Sequence, residues 1–106
     1  MEKNAAVPVR EWTLTERDPG LSDCPSLREE SGDLAIALIS EDDDSKPAVQ
    51  ALRFDDDGEL VEFVDVPVLG GDFAMAAVFA LAKLTGTPPA REEISAFVRL
   101  CAEIGF

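Results

Sequence analysis

The sequence has no histidine and no tyrosine. Losing histidine removes the side chain that most often acts as a general base near neutral pH. The Ser-His and Cys-His dyads that activate a nucleophile go with it. Cysteine is nearly absent as well. Cys24 and Cys101 lie far apart and make no secreted disulfide framework, so reduced thiols in a cytoplasmic setting are expected. Basic residues are few: 9 Lys and Arg stand against 22 Asp and Glu, for a net charge of −13. Phosphate backbones are held by Lys and Arg, so direct nucleic-acid binding is not expected. Anionic membrane surfaces are repelled for the same reason. No apolar run approaches the roughly 20 residues that cross a bilayer. The opening stretch MEKNAAVPVREW has no apolar segment of the kind a signal peptide needs.

What the chain does have is enough apolar material for a core. Of its 106 residues, 46% are hydrophobic, too many for a disordered acidic tail. A single domain over residues 1–106 is expected, burying roughly two thirds of the surface of the unfolded chain. Its centre is Gly71 to Thr85, in which every residue from Phe73 to Ala82 is apolar. A helix with no face suited to water is expected in the middle of a fold. Asp72 is placed to cap its start, Lys83 suits its C-terminal dipole, and Gly86 with Pro88 and Pro89 ends it. Five alanines on one side should permit close backbone approach, and the larger residues should fill a core on the other.

Before this helix the pattern is one of strands. Val7 to Thr15 alternates, with Trp12 and Leu14 pointing inward. Glu16 to Asp33 is rich in turn residues and reads as a long, mobile connection. A short helix over Pro25 to Glu30 is expected within it, with Asp23 or Cys24 at its cap. Leu34 to Ser40 is apolar on both faces, as a central strand would be. Ala48 to Phe54 places Leu52 and Phe54 on one face, with Val49, Ala51 and Arg53 on the other. Asp57-Gly58 signals a hairpin, and Leu60 to Val66 returns. A last helix begins near Pro88 or Pro89, capped by Thr87. Its stripe is Ile94, Phe97, Val98, Cys101 and Ile104. The fold class is therefore α+β: a mostly antiparallel sheet of about four strands, then two C-terminal helices on one face.

Reaction chemistry is hard to place on this chain. Cys101 falls on the apolar stripe of the last helix and reads as packing. Cys24 precedes a proline and has only Arg28 and a helix start to lower its pKa, so it reads as incidental. The Asp-rich stretches fail the calcium-loop pattern, because Arg53 takes the first ligand position when Gly58 is aligned with the loop glycine. Gly70-Gly71 lacks the lysine of a phosphate loop and is followed by Asp72. No catalytic residue, metal or cofactor is expected, and the protein is read as a non-enzyme.

The acids are unevenly placed. Glu41, Asp42, Asp43, Asp44, Asp55, Asp56, Asp57, Glu59, Glu62 and Asp65 fall in one segment whose only bases are Lys46 and Arg53. A hairpin would set the Glu41–Asp44 loop and the Asp55–Glu59 turn at opposite ends of one strand, roughly 23 Å apart. Glu62 and Asp65 would lie between them, completing an acidic ridge. Such a row of carboxylates could stand in for phosphates and steer a basic partner onto the sheet. Asp also favours turns, so solubility and turn formation alone would explain the same residues.

These clusters, the small domain and the lack of catalytic residues give the chain its general character. In that character it resembles small acidic inhibitors of phages and bacteria, including anti-CRISPR proteins, nucleic-acid mimics and toxin-immunity proteins. The resemblance carries no aligned motif, so no residue role comes with it. It implies a cytoplasmic protein of the host cell that binds a basic, nucleic-acid-binding effector. The alternatives are an immunity protein against a nuclease toxin and a phage assembly accessory. In the accessory, a homo-oligomer would pack on the apolar helix and acidity would only confer solubility.

Overall fold

The computed structural model describes residues 9–21, 23–39 and 46–106. Five strands form one sheet: β1 (Trp12–Asp18), β2 (Cys24–Glu29), β3 (Leu34–Ile39), β4 (Ala48–Phe54) and β5 (Leu60–Pro67). Every neighbouring pair is antiparallel, and the spatial order is the chain order. Two helices follow, α1 (Phe73–Thr85) and α2 (Arg91–Glu103). The α+β class holds, with five strands rather than about four.

The extra strand is β2, which replaces the helix expected over Pro25 to Glu30. Proline has no N–H for a ladder, which argues against a strand. The partner strand resolves the conflict. Thr15 pairs with Ser26 but Asp18 pairs with Cys24, so β1 carries one extra residue opposite Pro25. A bulge is one of the few strand settings that suit proline. The stretch read as a mobile connection is therefore a paired hairpin. A one-turn 3₁₀ segment, Pro19–Leu21, lies at its tip. The first strand also begins later than expected. Val9 to Glu11 lead into it, and residues 1–8 lie outside the described part.

The central-strand reading of β3 holds: Leu34 to Leu38 are all buried. Alternation on β4 also holds. Val49 and Ala51 join Leu27, Ile36, Leu38 and Trp12 in the core beneath the helices. On the other face Ala35, Ala37 and Leu52 form a smaller cluster, against which Leu21, Ile39 and Phe54 pack.

α1 lies across β4 and β5, while α2 packs on α1 and reaches β1. The α1 ends are as expected. Asp72 accepts a hydrogen bond from the Met75 N–H at 3.0 Å, and Gly86 takes the left-handed conformation at φ 78°. Its surroundings differ from expectation. Because both helices lie on one face of the sheet, α1 has an outer side. Ala74, Ala76, Ala77 and Ala80 are on the buried side with Phe73, Leu81 and Leu84. Met75 and Phe79 are left exposed. The alanines bring the helix close to the sheet, and two of the large residues face outward.

α2 is turned relative to the expected stripe. Its buried residues are Glu93, Phe97, Leu100 and Cys101, while Val98 is exposed. The helix starts at Arg91, so Thr87 is not its cap. Instead the Glu93 carboxylate reaches back to accept the Ala90 N–H at 3.0 Å, the glutamate half of a capping box. Phe97 meets Trp12 edge to face at 5.1 Å, which locks α2 to β1.

Candidate partner-binding surface

Charged groups fall into two sets with different surroundings. The first set lies at the β1 side of the sheet and is spent on the fold. Glu93 is only 1% exposed. Its carboxylate accepts from Arg10 Nε at 2.8 Å, Trp12 Nε1 at 2.9 Å and the Ala90 N–H. Burial pushes this carboxyl up, but the donors outweigh it and hold it below its ordinary value. Asp18 is the counterpart on the face away from the helices. The β1 bulge puts it there: without the extra residue, alternation would turn it to the helix side. Asp18 accepts from Arg28 at 2.7 and 3.1 Å, from Ser26 Oγ at 2.6 Å and from the Gly20 N–H at 3.0 Å. The Arg28 guanidinium is the main cause that lowers its pKa to about 2. Arg28 also lies over the Phe54 ring, at 5.7 Å from its centroid.

The carboxylates of both clusters are buried, while their arginines are partly exposed. Ser26 is fully buried, so its hydroxyl serves as a donor to Asp18. Arg28 is committed to Asp18, and Cys24 opens a strand rather than a helix. Burial and the nearby Asp72 charge push the Cys101 thiol up to about 11, as expected of a packing residue. Among the described residues, no group of three or more His, Cys, Asp or Glu is placed to hold a metal ion.

The second set lies at the β4–β5 end. Asp55, Asp56, Asp57 and Glu59 are all exposed. Asp55 also builds the turn: its Oδ1 accepts the Asp57 and Glu59 N–H groups, both at 2.9 Å. Gly58, at φ 81°, returns its N–H to the Asp55 carbonyl at 3.0 Å. The turn is thus longer than a two-residue Asp-Gly hairpin, and its acids at 56, 57 and 59 point to no side-chain partner among the described residues.

A second acidic turn, which the sequence pattern did not single out, stands beside it. The antiparallel β3–β4 pairing sets Leu34 opposite Arg53, and the Phe54 N–H reaches the Asp33 carbonyl at 2.8 Å. This brings the β2–β3 turn, with Glu29, Glu30 and Asp33, next to Asp55–Glu59. Between the turns opens a groove of about 680 Å³, with Asp33, Asp56, Arg53 and Thr87 among its walls. Recognising β2 as a strand would have revealed this neighbour, because its turn then falls at the same end.

Glu62 and Asp65 extend the acidic end along β5, on opposite faces. Glu62 shares the helix side with Val64 and makes an exposed ion pair with Arg53 at 3.0 Å. Asp65 is on the other face and accepts from Gln50 Nε2 at 2.9 Å. The described acids therefore wrap an edge rather than line one face. Glu41, Asp42, Asp43 and Asp44 lie outside the described residues. The described residues flanking them, Ile39 and Lys46, stand at the end of the sheet opposite Asp55.

Apolar surface adjoins these acids. Leu69 is 78% exposed, Val61 59%, Phe79 57% and Phe63 53%. Leu69, Met75 and Phe79 line an open groove of about 210 Å³ with Val66 and Pro67. No helix among the described residues is long and apolar enough to cross a membrane. No protein-family model, curated protein or solved structure matches the chain.

Proposed function

We propose that the protein is a non-enzymatic inhibitor whose acidic end binds a basic, nucleic-acid-binding effector. It would act as an anti-CRISPR-like protein and nucleic-acid mimic of the host cytoplasm. The observation that carries this reading is the pairing of two acidic hairpin turns at one end of the sheet. Asp33, Asp55, Asp56, Asp57 and Glu59 are exposed there. A rigid sheet holds them at fixed spacing, which gives a basic groove something to recognise and steers its approach. An immunity protein that covers the basic active site of a nuclease toxin would use the same end.

Exposed Leu69 and Phe79 favour a second reading, an assembly protein whose contacts are apolar. Salt separates the two. The tagged protein is bound to a host lysate, and capture is followed by washes of rising salt and an assay of the eluted partner on nucleic acid. The inhibitor reading expects a basic partner that salt releases and whose nucleic-acid binding the protein blocks. Replacing Asp55, Asp56 and Asp57 together with asparagine should abolish that block while leaving the fold intact. Full inhibition by this triple variant contradicts the reading, and a salt-resistant partner favours assembly.

A further inference from the structure

Both edges of the sheet are open among the described residues, and they are built differently. β1 presents Thr13, Glu16 and Arg17, with Trp12 and Asp18 turned in and a bulge between Thr15 and Asp18. Those are the usual devices that keep an edge from pairing. β5 has its own bulge, at Val61, where Arg53 pairs with Glu62 but Phe54 with Leu60. From Glu62 to Val66, however, the strand is regular. On such an edge every second residue turns its N–H and C=O outward. Exposed Phe63 lies on one face of it, and the Leu69–Phe79 groove adjoins the other.

A second copy of the chain is a poor occupant. A two-fold axis through the sheet pairs β5 with itself about one central residue. Centred on Phe63, it sets Glu62 diagonally beside Glu62 of the other copy. Centred on Val64, it does the same to Asp65. Each copy also brings its own net charge of −13.

We propose that the outer edge of β5 accepts an extended segment of a basic partner as a sixth strand. This rests on the reading that the partner is basic. It adds the mode of binding, main-chain pairing with side chains read on alternate faces. The two acids set the pattern of the incoming strand. Residues opposite Glu62 and Asp65 are three apart and on opposite faces, and the two between them meet Phe63 and Val64. The segment therefore reads basic, apolar, apolar, basic. Flanking apolar residues would enter the groove at Leu69 and Phe79.

The probe is a synthetic octapeptide with a lysine–valine–valine–lysine centre, titrated into the full chain at low salt. A second peptide carries N-methyl groups on alternate amides, which removes one side of its main-chain donors and keeps its charge. Hydrogen exchange of the Glu62–Val66 amides is followed in both titrations. The proposal expects the first peptide to bind, to slow exchange at β5 and to lose at least about tenfold in affinity on N-methylation. Phe63→Thr should weaken it further without changing the melting temperature. If both peptides bind alike and β5 exchange is unchanged, strand addition is overturned while the basic-partner reading stands. Failure of both peptides to bind at low salt contradicts both readings. A dimer in sedimentation, with β5 already protected, makes a second copy the occupant and overturns the proposal.

Discussion

The two sides of this sheet hold charge in opposite surroundings. At the β1 side, Asp18 and Glu93 are buried, and each is met by at least three donors. At the β5 side, Asp56, Asp57 and Glu59 are exposed, and among the described residues Glu62 holds only an exposed pair with Arg53. Buried charge is costly unless fully paired, so the first set is committed to the fold. Exposed pairs contribute on the order of 0–1 kcal/mol, so the second set can be spent on a partner without loss of stability.

Mutations should separate the sides, the largest effect first. Glu93→Ala leaves Arg10, the Trp12 indole and the Ala90 N–H without their shared acceptor. A loss of about 3–5 kcal/mol is expected in urea unfolding. Glu93→Gln keeps an acceptor and should lose less. Asp18→Asn is expected to cost about 2 kcal/mol at pH 7. The sign with pH follows from the depressed pKa. The folded value, about 2, lies below the ordinary 3.8, so the stabilisation is present above pH 4 and fades as pH falls through 2. Wild type and Asp18→Asn should therefore converge in acid, and a gap that stayed constant with pH would contradict this role.

On the other side, Phe79→Ser should change stability by no more than about 0.5 kcal/mol, because the ring is already mostly in water. Smallest of all is Asp56→Asn with Asp57→Asn, which removes two charges from a strongly negative chain and no side-chain hydrogen bond among the described residues. Melting should stay within about 0.5 kcal/mol of wild type, measured by calorimetry. Asp55→Asn keeps an acceptor for the Asp57 and Glu59 N–H groups, so it too should fold.

The same division explains what could be seen from the sequence. Local signals were readable: the Asp72 cap, Gly86, the alternation of β4 and the doubly buried β3 all depend on near neighbours. Pro25 was misleading because its place opposite the β1 bulge depends on another strand. Glu93 looked like a first-turn acid, and only its contact with Arg10 and Trp12, more than 80 residues away, makes it a buried one. Its burial turns α2 and leaves Val98 outside. Phe73 to Ala82 is apolar all round, yet composition cannot say that the helices form a single layer and leave Phe79 uncovered. At the acidic end, Asp55–Glu59 was evident, and its neighbour Glu29–Asp33 was hidden by the misread β2.

The central claim is that the β4–β5 end carries charge for binding and not for folding. It is tested most directly by measuring, on one preparation, the melting temperature and the partner affinity of the Asp55→Asn, Asp56→Asn, Asp57→Asn triple variant against wild type across a salt series. The account expects nearly equal melting temperatures, a steep fall of wild-type affinity with salt, and a weak, nearly salt-independent affinity for the variant. Wild-type affinity and salt dependence in the variant, or loss of its fold, would contradict it.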